Sequence, residues 1–428
     1  MTTERKDAFV REVARAVEAR REEMVSLLQA LVRVPSVTGE EGAVQEVIER
    51  ALLERGLDVD RWEATAQEVE PYLEHVGEQA RYEGRPNLVG VRLGSGGGGR
   101  SILLNAHTDT VAPGDPAAWS RDPYSGAVEG DLLYGRGACD MKGGLATHLT
   151  ALDALDDLGV ELGGNVTVAA TVGEENGGLG ALSTVLRGYR ADAALISEPT
   201  RLALIPAQGG SLVFRLTVTG HSAHAAVRDS GTSALEKFLP IFEALRALER
   251  ERNAALRHPL YEHLKNKVPI NVGIVRAGEW PSSVPESLVA EGRAGLIPGE
   301  EIGPFRELVS ERIRAVAEKD PWLREHLPKL EWFGGQFAPA EVPTDAPICA
   351  AVGRAHERVT GRRPQVEGVP YGADMRLFML FGGMPCVMYG AGDVNVAHAP
   401  DEHVSIDDLL TAAKTLACVL PDWCGASE

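Results

Sequence analysis

The sequence offers no run of 18 apolar residues, few cysteines and a shortage of positive charge. Without a long apolar run, no segment is expected to cross a membrane as a helix. The five cysteines (Cys139, Cys349, Cys386, Cys418 and Cys424) are odd in number and none stands in a CxxC pair. Neither a disulfide framework nor a thiolate zinc site is therefore indicated. Lys and Arg number 43 against 62 Asp and Glu, a formal net charge of −19. That balance argues against nucleic acid and against anionic membrane surfaces, because both are gripped by basic patches. The opening residues, Met1 to Asp7, are charged and lack an apolar secretion core, so a reducing cytoplasm is the default expectation.

What is present is a chain of 428 residues with 44% hydrophobic content, enough for two or three domains and a substantial core. Residues 5–34 carry apolar positions at helical spacing. Thr38-Gly39-Glu40-Glu41 reads as a capping box starting a helix that Gly56 stops. Two strands, 87–93 and 101–106, flank the run Gly94-Ser95-Gly96-Gly97-Gly98-Gly99. Lacking the Lys-Ser/Thr of a phosphate loop and leading into a strand, that run is expected to be a flexible hairpin. From 101 to 206 strands alternate with helices at 143–158 and 179–186, which predicts a mainly parallel α/β sheet with helices on both faces. After Gln208-Gly209-Gly210 the order becomes β-α-β-β-α-β up to Gly334-Gly335, the layout of a ferredoxin-like α+β domain. From 345 onward strand and helix alternation resumes. The expected organisation is a catalytic domain in two parts, 1–208 and 336–428, with a domain inserted at 209–335.

Several chemistry-bearing residues fall at the ends of these strands. Val172-Gly173-Glu174-Glu175-Asn176-Gly177-Gly178 follows the β-rich run 165–171. Neighbours on extended backbone point to opposite sides, so Glu175 is read as a metal ligand and Glu174 as the group that handles a proton. Strand 101–106 delivers His107-Thr108-Asp109, a histidine with a carboxylate placed to orient it. Asp140 precedes a helix, where it could serve as an N-cap or offer two oxygens to two cations. Cys139 beside it reads as a small filler rather than a nucleophile. Glu198 ends another strand, and His398 lies on a loop after strand 385–389. Loops at strand ends converge on one edge of a parallel sheet.

In those stretches, together with 135–144, Ser197-Glu198-Pro199-Thr200, 220–224 and Ala397-His398, the chain resembles the zinc-dependent amidohydrolases of the peptidase M20 group. The branch it resembles holds acetylornithine deacetylase and succinyl-diaminopimelate desuccinylase. The resemblance implies two Zn2+ ions per subunit, with Co2+ or Mn2+ able to occupy an oxygen-and-imidazole ligand set. His107 and Glu198 would hold one ion, Glu175 and His398 the other, and Asp140 would bridge them across a cis Asp140–Met141 peptide. Asp109 would orient His107 and Glu174 would be the general base. The inserted domain would be a lid that forms a homodimer, with His224 reaching the oxyanion across the interface.

For substrate, the resemblance points to Arg376 as a carboxylate clamp, and Arg293 is a second candidate. Ser282 stands where relatives commonly place an asparagine, and the segment Trp280-Pro281-Ser282-Ser283-Val284-Pro285 is similar to deformylases acting on formylaminopyrimidines. The leading expectation is hydrolysis of a small N-acyl amide. A metallo-exopeptidase or dipeptidase, and a non-catalytic dimeric binding protein on the same fold, remain open alternatives.

Overall fold

The computed structural model describes residues 3–96 and 98–426. Met1, Thr2 and Gly97, on which parts of the sequence reading fall, lie outside the described residues. The larger sheet has nine strands. Its centre is parallel: Val166–Thr171, Ile102–His107, Ala194–Ile196 and Cys386–Met388 lie side by side in that order. The first two of these are buried at every position. They carry almost no polar alternation because helices cover both faces. Gly143–Asp157, Pro347–Thr360 and Ile406–Cys424 pack together on one face, and Leu179–Leu186 with Met375–Leu380 on the other. The margins are antiparallel, with Pro86–Arg92 and Asp58–Glu63 on one side and Leu204–Gln208 on the other, so the sheet is mixed rather than parallel throughout.

Two local expectations are corrected. The glycine run does not close a hairpin. Strand Val166–Thr171 lies between Pro86–Arg92 and Ile102–His107, antiparallel to the first and parallel to the second. The run crosses the foot of that strand, where the Ser95 N–H donates to the Leu162 carbonyl at 2.9 Å. Thr38 does not cap a helix either. Its hydroxyl donates to Asp109 Oδ2 at 2.8 Å, and the helix begins at Gly42. Glu41, at the cap position, turns its carboxylate to Arg85 instead, both oxygens meeting the guanidinium at 2.7 and 2.8 Å in full burial. A buried charge pair outweighs a cap bond of about 1 kcal/mol, because leaving either ion unpaired there costs several times more.

The second sheet has four antiparallel strands ordered Ile270–Ala277, Ser287–Leu296, Gly210–Thr219, Lys329–Trp332, the ferredoxin-like arrangement. Along Gly210–Thr219 burial alternates strictly, with Leu212, Phe214, Leu216 and Val218 facing a core of their own. That core is completed by Phe238, Ile241 and Leu245 from Ala234–Ala255 and by Phe305, Val309 and Ile313 from Ile302–Ala317. Ser233 caps the first helix by accepting from Glu236 N–H at 3.3 Å. The outer edge strand leaves Ile274 and Val275 exposed.

The return crossing at Gly334-Gly335 runs against the Glu174 loop. Gly177 has φ +140°, and a Cβ there would collide with the Val76 carbonyl; one on Gly335 would stand 2.9 Å from Gly177 Cα. Only glycine permits this meeting of backbones.

Candidate metal site

The carboxyl ends of the central strands bring His107, Asp140, Glu175, Glu198 and His398 to one place. His107, Asp140 and Glu198 offer ligand atoms all within 4.8 Å of one another, and so do Asp140, Glu175 and His398. Asp140 belongs to both groups. Its Oδ1 lies 3.0 Å from His107 Nε2 and its Oδ2 lies 3.3 Å from His398 Nε2. His398 Nε2 is also 2.9 Å from Glu175 Oε1. The peptide between Asp140 and Met141 is cis. Glu174 belongs to neither group. Its carboxylate is buried beside them.

The electrostatics describe a site short of positive charge. Burial pushes the carboxyls of Glu174 and Glu198 well above their usual range, with His107 opposing and neighbouring carboxylates reinforcing the rise. Glu175 is raised by burial as well, against its hydrogen bond from His398. Burial works against a charged His107, yet Asp140, Glu198 and Asp109 together raise it well above the ordinary imidazole. His398 is lifted to about 10 by hydrogen bonds to Asp140 and Glu175. Asp140 is held below the usual carboxylate range by His107 and His398, despite its burial. Crowded carboxylates that strain toward protons, faced by two imidazoles and no thiolate, form a donor set suited to divalent cations.

Asp109 acts differently from its sequence reading. The His107 Nδ1–H meets the Asp109 main-chain carbonyl at 3.0 Å, while the carboxylate lies 3.7 Å away. The carboxylate is claimed by the N–H groups of Glu174 and Glu175, at 3.0 and 3.2 Å, and by Thr38. One residue thus orients the imidazole with its backbone and pins the acidic loop with its side chain.

Arg376, expected as a carboxylate clamp, is a buried strut. Nη1 donates to the Ala373 carbonyl at 2.7 Å, and Nη2 to those of Gly177 and His75 at 2.7 and 3.2 Å. The guanidinium lies 3.7 Å from the Phe337 ring centroid. Nη1 and Nη2 are held by carbonyls of three loops, while Nε has no partner among the described residues. Arg293 is half-buried. It reaches from the four-stranded unit to the Pro370 carbonyl at 3.5 Å, and its Nε has no partner among the described residues. His224 and Ser282 lie together on the exposed end of that unit, where Ala225 N–H donates to the Ser282 carbonyl at 2.9 Å. Among the described residues, no hydrogen bond or ion pair joins either of them to the cluster.

Sequence reasoning passed over three neighbours. Tyr371 is pushed well above its usual range by burial, with the charges of Glu198 and Asp140 adding to the effect. Asp374 is buried with neither oxygen partnered and is raised to about 6 by burial. Glu402 is buried and accepts from the loop that holds Asp140. Tyr371 and Asp374 lie in the stretch around Arg376, and Glu402 follows His398 by four positions. That proximity was the available signal.

The chain is similar to several known proteins. Residues 103–422 match the peptidase family M20/M25/M40. An N-formyl-4-amino-5-aminomethyl-2-methylpyrimidine deformylase from Bacillus subtilis is 28% identical over 445 residues, covering 99% of each chain. An acetylornithine deacetylase from Myxococcus xanthus is 31% identical over 346 residues, 79% of this chain and 84% of that one. A di-peptidase structure from Saccharomyces cerevisiae superposes with a TM-score of 0.77 at 15% identity, covering 98% and 99% of the two chains. With most of its length matched and its strand ends carrying this ligand cluster, the chain belongs to peptidase family M20/M25/M40.

Proposed function

We propose that the chain hydrolyses the amide bond of a small N-acylated amine with the help of two zinc ions. His107, Asp140 and Glu198 would hold one ion and Asp140, Glu175 and His398 the other. The observation that carries this reading is Asp140, whose two oxygens face different imidazoles and whose carboxylate is common to both ligand groups. When bound, such a pair of ions polarises a scissile carbonyl and lowers the pKa of an attacking water.

Glu174 would take the water's proton on its carboxylate and return it to the leaving amine. Burial raises its proton affinity, which suits a base working near neutral pH. Asp109 keeps that base in place through the Glu174 N–H. Arg293 would meet a carboxylate on the substrate. His224 and Ser282 would serve the site of a second copy. Support for dimerisation through residues 209–335 comes from the edge strand Ile270–Ala277, with Ile274 and Val275 exposed, and from exposed Leu235 and Leu239. An unpaired apolar edge of this kind invites a partner strand.

For the acyl group we favour formyl. A relative matched over 99% of both chains is a deformylase, and Ser282 offers a short side chain to a small group.

The test is Glu174→Gln. Turnover of a cleaved N-acyl amine should fall by ~10²–10⁴-fold while zinc content stays at the wild-type level. Unchanged turnover with metal bound would remove Glu174 as the base. Rates on matched N-formyl, N-acetyl and N-succinyl amines and a dipeptide then rank the substrates, and a dipeptide in first place would replace the deacylase reading.

A further inference from the structure

We propose that Glu402 is the positioning residue that sets Asp140 and locks it to the segment carrying His398. The proposal rests on the dinuclear reading above.

Glu402 is fully buried. Its Oε1 accepts the N–H groups of Gly137, Cys139 and Asp140 at 2.9, 3.1 and 3.1 Å. Its Oε2 accepts Arg136 Nη1 at 2.5 Å. Every donor comes from residues 136–140, and the last belongs to Asp140 itself. Gly137 adopts φ +83°, which curls successive N–H groups inward in the manner of an anion-binding nest. Here the anion is the protein's own side chain. A carboxylate that accepts four hydrogen bonds has little lone-pair capacity left, so Glu402 is not a further metal ligand.

The other end of the link is covalent. Glu402 follows His398 by four residues. The Gly135 N–H donates to the Glu402 carbonyl at 2.8 Å, and His403 pairs with Tyr134 in a short antiparallel ladder. His398 then closes back on Asp140 Oδ2 at 3.3 Å. Asp140, the nest, Glu402 and His398 thus form a closed loop of contacts. The carboxylate shared by both ligand groups cannot shift without moving the more exposed histidine. His398 itself sits at φ +60°, a conformation that isolated non-glycine residues seldom hold unaided.

Glu402→Gln keeps the size and one acceptor, but sets an NH2 group against either Arg136 or the three N–H donors. Glu402→Asp keeps the charge and withdraws it by one methylene. Zinc binding to the metal-stripped chain is measured by competition with a chelating dye, together with thermal melting of the metal-free forms and the visible spectrum of the Co2+-loaded forms. The wild type should bind two ions, and both variants should bind about 10–100-fold more weakly, with an altered Co2+ spectrum. If Glu402→Gln does not fold, Glu402→Asp decides. Wild-type affinity and spectrum in a folded variant, with only its melting temperature lowered, would reduce Glu402 to a structural salt bridge and overturn the proposal. A wild type that binds a single ion would sink the dinuclear reading. The Glu402 proposal would survive that result only if the single ion also binds more weakly in the variants.

Discussion

Under the proposed reading, His107 and His398 do the same work in different surroundings. His107 ends a fully buried strand and is 1% exposed, and its partner Glu198 is 5% exposed. His398 sits on a loop with 48% of its side chain in solvent. Behind the closed half stand two supports. The Asp109 carbonyl fixes His107, and His148 Nε2 meets Ser197 Oγ at 2.8 Å next to Glu198. The open half depends on turns in which both His398 and Asp401 hold positive φ. Strand ends deliver a ligand by sheet packing; loops need a clamp such as Glu402. An ion on the open side should accordingly exchange sooner than its neighbour.

The largest expected effect breaks the scaffold beneath the acidic loop, which the two halves share through Glu174 and Glu175. Arg85 pairs with Glu41 in full burial, and its Nη2 stands close to Gly173 in the acidic loop. Arg85→Met strands the Glu41 charge and should cost about 3–5 kcal/mol in urea denaturation. A loss below about 1 kcal/mol, the scale of a surface pair, would show that the acidic loop stands without it. His398→Ala sharpens the comparison directly. Removing a direct ligand should weaken one zinc by at least the ~100-fold upper range for outer partners, while the second ion survives dialysis against chelator. Simultaneous loss of both ions would show that the halves are not separable.

A last effect appears only on acidification. Burial lowers His148 to about 3, whereas in the unfolded chain it titrates near 6.5. The unfolded state then binds more protons between those values, so stability rises with pH across that window. Acidification from 6.5 toward 3 removes it at up to about 1.4 kcal/mol per pH unit. His148→Gln should flatten that acid limb relative to the wild type, and parallel limbs would clear His148 of the acid sensitivity.

Much of this was legible because strands announce themselves by composition and their ends are where α/β proteins gather chemistry. The five residues of the ligand cluster and the β-α-β-β-α-β order are of that kind. What stayed hidden depends on strand neighbours and on competition for buried polar groups. No local signal says that strand Val166–Thr171 inserts between the two strands flanking the glycine run. Thr38-Gly39-Glu40-Glu41 has the letters of a capping box, but Arg85, 44 residues from Glu41, outbids the helix end. Arg376 resembles a clamp in sequence, and only packing reveals the three carbonyls that hold its Nη1 and Nη2. Glu402 received no role from the sequence because its four donors lie more than 260 residues upstream.

The bare meeting of Gly177 with Gly335 has a mechanical corollary. Gly177 also donates its N–H to the Glu174 carbonyl at 2.9 Å, so the chain leaving the four-stranded unit rests on the turn that aims the proposed base. A tilt of that unit would be felt at Glu174 through main chain alone, with no side chain to absorb the displacement. A methyl group at Gly335 would stand 2.9 Å from Gly177 Cα and act as a wedge against that turn.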